Sequence, residues 1–141
     1  MAENSVEIAA PRARVFDVLA DPGAYAEWVV GADRIRAADD GWPAPTNRIY
    51  HSTGLGPVHV DDSTEVLECE PPERLVLLAR LGPLGSFRVE LVLAEHDEVT
   101  EVTMRESPVG GVSRFAGPVG DAVGALRNSL SLRRLKEIAE R

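Results

Sequence analysis

One cysteine, one lysine and seven aromatic residues are all that the 141 positions hold of these types. Cys69 therefore cannot form an internal disulfide, and neither it nor the three histidines shows zinc-ligand spacing, so no metal is expected. No stretch approaches 18 continuous apolar residues, and no basic region followed by an apolar run opens the chain. These two gaps predict a cytoplasmic protein without membrane insertion. Positive charge is also short: 15 Lys and Arg stand against 23 Asp and Glu, for a formal charge of −8. Phosphate binding needs clustered cations, so no nucleic-acid partner is expected, and an anionic membrane surface is disfavoured. The densest basic run, Arg133-Arg134 before Lys136, falls in the last turns of a helix and complements the negative end of its dipole. A phosphate-cradling loop is missing too, because Gly54-Leu55-Gly56-Pro57 puts proline where a helix would have to begin. No cofactor is expected.

What remains is an ordinary apolar share, 44%, with 27% charged residues, enough for one domain over residues 1–141. Alternation predicts a strand over Ser5–Ala9, and Pro11 starts a helix running to Ala20, with Val15, Val18 and Leu19 as its buried stripe. Asp21-Pro22-Gly23 stops it. A short second helical turn carries Tyr25 and Trp28 on one side. Six more strands are expected at Val29–Ala37, Arg48–Thr53, Val58–Cys69, Leu75–Leu81, Phe87–Glu95 and Val99–Glu106, with Pro108 leading out of the sheet. Short turns between them imply an antiparallel meander. A helix over 118–140 closes the chain and is long enough to span about 30 Å.

Four features taken together are characteristic: Ile8-Ala9-Ala10-Pro11 followed by Val15-Phe16, the Tyr25-to-Trp28 spacing, the segment Glu68 to Leu75 (E-x-x-P-P-E-R-L), and the helix end Leu135 to Glu140 (L-K-E-I-A-E). In this order they resemble the START-like helix-grip superfamily, the SRPBCC or polyketide cyclase/dehydrase-like group, over nearly the whole chain. The resemblance implies an α+β fold in which a seven-stranded curved antiparallel sheet grips the long C-terminal helix around an apolar cavity, with two short helices after strand 1. It transfers no catalytic residue, because polar positions inside this fold vary.

The site residues are nominated from alternation and helix phase instead. The aromatic mouth is Tyr25 and Trp28, with Trp42 as a further candidate, and the sheet wall is Val60, Val66, Phe87, Val89, Leu91, Val102 and Met104. His51 faces inward if Ile49 does. Glu106 ends the apolar stripe of the last strand, where a solvent-reaching strand end is the plain alternative. Arg80 sits on a strand apolar on both faces, so it reaches either the cavity or the outside. The helix has two apolar sides. The side with Gly124, Asn128, Leu132 and Leu135 stays apolar to its end and is assigned to the sheet, so that Gly124 leaves room and Asn128 offers an amide. The other side, Phe115, Val119, Ala122, Leu126 and Leu130, would be covered by the segment after Gly111 or by a second subunit, a homodimer through Leu126 and Leu130.

Three functions follow. The first is binding of a hydrophobic small molecule, for which the fold suggests a lipid, an aromatic polyketide or an isoprenoid. The second is a cyclase or dehydratase with His51 and Glu106 as the acid/base pair. The third is an interaction or assembly co-factor.

Overall fold

In a computed structural model, described for residues 2–55, 57–80, 82, 85–110 and 117–141, the chain forms one seven-stranded sheet and three helices. The strands are β1 (Ala2–Ile8), β2 (Ala32–Ala38), β3 (Arg48–Leu55), β4 (Val58–Glu70), β5 (Arg74–Arg80), β6 (Ser86–His96) and β7 (Val99–Gly110). The helices are α1 (Arg12–Leu19), α2 (Tyr25–Trp28) and α3 (Gly117–Ala139). Every pairing is antiparallel, in the order β1-β7-β6-β5-β4-β3-β2. The meander thus runs unbroken from β2 to β7, and β1 closes onto β7 with Ala2 opposite Glu106.

Local chemistry explains where elements start and stop. Pro11 does not open α1 but caps it from an extended backbone, its carbonyl accepting from the N–H groups of Arg14 and Val15. Asp21 caps the following turn through a carboxylate bond from the Gly23 N–H. β2 begins at Ala32, later than the expected Val29, because Val29 caps α2 and Gly31 at φ 103° turns the chain. β7 outlasts its expected end at Glu106 and reaches Gly110. Pro108, which has no N–H to give, is accommodated where the register with β6 shifts. Leu81, Phe115 and the turn residues Gly56, Pro83, Leu84 and Gly111 lie outside the described residues.

α3 lies across the concave face, against β1, α1 and α2. It buries Asn128, Ser131, Leu132, Leu135, Ile138 and Ala139, the side assigned to the sheet, while Val119, Val123, Leu126 and Leu130 are exposed. The buried core lies in the concavity. There Leu91, Leu93 and Val102 meet Leu132 and Leu135 of α3 and Val15 and Leu19 of α1, all nearly inaccessible. Among the described residues no helix is long and apolar enough to cross a membrane, and no three His, Cys, Asp or Glu gather into a metal site.

Candidate functional site

A cavity of about 190 Å³ opens between the sheet and the middle of α3. β6 contributes Phe87 and Val89, β5 Leu77 and Ala79, and β7 Met104 and Glu106. α2 and the turn after it supply Tyr25, Trp28 and residues 29–32, β3 supplies His51, and α3 supplies Arg127, Asn128 and Ser131. Phe87 and Val89 look into the void, whereas Leu91, two residues on, is packed solid.

Eight of the nominated residues therefore meet at one cavity: Tyr25, Trp28, His51, Phe87, Val89, Met104, Glu106 and Asn128. Four others do not. Leu91 and Val102 are wholly buried in the core and are not part of the lining. Arg80 lies on the outer face, since Leu77 and Ala79 hold the inner one, and its guanidinium pairs with Glu65 at 3.3 Å. Gly124 makes room for a side chain rather than a ligand: a Cβ there would stand 3.2 Å from Glu106 Oε1. Val60 and Val66 are not part of the lining either, nor is Trp42. Trp42 packs edge-on against Tyr25 at 6.4 Å and donates from Nε1 to the Leu19 carbonyl, so it braces the site from behind.

Two polar groups punctuate the apolar wall. The first joins three elements. The Tyr25 hydroxyl lies 2.8 Å from Thr64 Oγ1, which lies 2.9 Å from His51 Nε2, and the two rings stack at 5.7 Å. Burial holds His51 below its ordinary range, while a backbone hydrogen bond to Ser63 acts in the opposite sense. A backbone bond that favours the protonated ring is one in which the ring N–H donates. We therefore assign the proton of the neutral imidazole to Nδ1, leaving Nε2 to accept from Thr64 and Thr64 to accept from Tyr25. Burial pushes the Tyr25 phenol upward, so it stays protonated.

The second group is ionic. Glu106, 6% exposed, is paired with Arg127, whose guanidinium also lies over the Phe87 ring at 5.7 Å. Burial raises the Glu106 carboxyl above the usual carboxylate range, and Arg127 and Asn128 pull it back. Asn128 is close enough to Glu106 to help hold its charge, yet its Nδ2 makes no hydrogen bond of normal geometry. Nor does the buried Asn4 Oδ1, whose own Nδ2 donates to the Ala125 carbonyl. Ser131, one turn beyond Asn128, accepts from the Val30 N–H.

Sequence reasoning missed Thr64, Arg127 and Ser131. Thr64 shares the face of Val60 and Val66 by simple alternation, and that signal was present. It was masked by the polar run Asp61-Asp62-Ser63. Arg127 neighbours Asn128, and a buried Glu106 needs a countercharge.

The comparisons agree with this geometry. The family described as polyketide cyclase / dehydrase and lipid transport matches residues 2–140. No curated protein matches the sequence. Among solved structures, the protein CV1439 from Chromobacterium violaceum is 17% identical, with a TM-score of 0.70, covering 100% of this chain and 99% of that one. TTHA0849 from Thermus thermophilus is 15% identical, with a TM-score of 0.72 and coverage of 98% and 95%. The di-domain ARO/CYC protein BexL from the BE-7585A biosynthetic pathway is 18% identical, with a TM-score of 0.68, covering 99% of this chain and 49% of that one. At these identities the likeness is one of fold.

Proposed function

This chain belongs to the polyketide cyclase/dehydrase and lipid transport family, and from that premise we propose that its cavity binds a hydrophobic small molecule between the sheet and α3. The observation that carries the reading is the cavity in the concavity: about 190 Å³, walled by Trp28, Leu77, Phe87, Val89 and Met104. Apolar walls supply affinity at about 25 cal/mol per Å² buried. The few polar groups set orientation and penalise guests that leave them unpaired. Native mass spectrometry of the freshly purified protein tests this. A mass excess that vanishes under denaturing conditions is expected. A bare mass, with no thermal shift on adding small apolar probes, would refute it.

A second reading, a cyclase or dehydratase, is favoured by the Tyr25–Thr64–His51 chain, through which a proton taken at the phenolic oxygen can be relayed to the imidazole. Glu106 is the acid partner in this reading, burial raising its carboxyl above the usual carboxylate range. His51→Ala separates the two. Loss of turnover of a poly-β-ketone supports chemistry, and weakened affinity alone supports a carrier.

A further inference from the structure

Arg127 is the one permanently charged cation among the described residues that line the cavity. Its recorded hydrogen bonds, to Glu106 and at 3.5 Å to Asn128 Oδ1, both leave from Nη2. A guanidinium carries five N–H donors, so among the described residues those of Nε and Nη1 have no partner, on a side chain that lines the cavity. Beside it, Asn128 is 3% exposed, and among the described residues its Nδ2 lacks a normal partner. This end of the cavity thus holds spare donors, and its side-chain acceptors, Glu106 and Asn128 Oδ1, are already engaged by Arg127.

Size narrows the guest further. An engineered apolar cavity of about 150 Å³ takes a benzene, so about 190 Å³ suits a ring with a substituent and falls well short of two acyl chains. Resting on the binding reading above, we propose that the guest is a compact, ring-sized organic acid whose anionic oxygen is held by Arg127 and Asn128. Glu106 then becomes the responsive group. Among the described residues, the groups that face it are Arg127 and Asn128 on α3 and Tyr25 on α2, while β6 brings Phe87 and Val89 to the same cavity. A second anion sharing Arg127 weakens the only strong counterion of a carboxylate already raised by burial. Glu106 accordingly takes a proton from solvent as the guest enters, up to one per guest.

Titration calorimetry of the full chain in buffers of different ionisation enthalpy tests this, with 2-naphthoate, its neutral analogue 2-naphthylmethanol, and palmitate as probes. Naphthoate is expected to bind with net proton uptake and at least about tenfold more tightly than the alcohol. Glu106→Gln should abolish the uptake. Arg127→Gln should cost naphthoate about tenfold more than it costs the alcohol, whose remaining binding also shows that the variant is folded. Equal affinity of acid and alcohol, or binding without proton uptake, overturns the proposal and leaves the binding reading standing. Palmitate binding without naphthoate binding does the same. Silence from all three probes overturns both.

Discussion

Replacing Thr64 by valine probes the polar chain with almost no change of shape, since one methyl takes the place of one hydroxyl. Thr64 is wholly buried, and its Oγ1 is the shared partner of the Tyr25 hydroxyl and His51 Nε2. The substitution leaves a donor and an acceptor unsatisfied at once. A buried group stripped of its partner costs about 1–3 kcal/mol. Both groups border the cavity, where water can reach part of one of them, so Thr64→Val should destabilise the fold by about 2–4 kcal/mol. For a domain of this length that is roughly 5–15 °C in Tm. Urea unfolding should show a lower midpoint at an unchanged slope. In a Tyr25→Phe background the phenol is already gone, and the same change should cost about 1 kcal/mol less, a coupling that a double-mutant cycle reads directly. A cost below about 0.5 kcal/mol in the wild-type background would show that the three groups do not depend on one another, and the polar chain would lose its place in the site.

Two further outcomes follow from the same coordinates. Burial depresses His51, whose ordinary value is 6.5, so on acidification the unfolded chain takes its proton first. Stability should be intact above that value and fall as the pH drops through it toward the lower folded value, and His51→Gln should flatten that slope in urea titrations between pH 7 and pH 5. Pairing of two chains through Leu126 and Leu130, both exposed, predicts that Leu126→Glu halves the mass seen by sedimentation, and a wild-type monomer at high concentration refutes it.

Much of the fold was written in periodicities that survive local noise. The run Phe87, Val89, Leu91, Leu93 against Arg88 and Glu90 admits only one inner face, and β6 has it. The helix side ending in Leu132 and Leu135 was separable because the rival side ends in Arg133 and Glu137. Alternation, however, reports only which face a residue takes. It does not report how far along the strand the neighbouring layer extends, and so Leu91 and Val102 were placed at a cavity wall although α1 and α3 cover them. Arg80 was undecidable for the same reason: β5 is apolar on both faces, Val76 being buried on the outer one. Thr64 and Arg127 acquire meaning only through partners 13 to 39 positions away, a pairing that single-chain patterns do not encode.

The pairing of β1 with β7, with α3 laid over both, joins residues about a hundred positions apart. Until that seam closes, the concavity has no roof and one wall is missing. Contacts this distant in sequence form late and slowly. The guest chamber therefore comes into being only once almost all of residues 2–139 have been made, and no half-synthesised chain can capture a molecule on its way out of the ribosome.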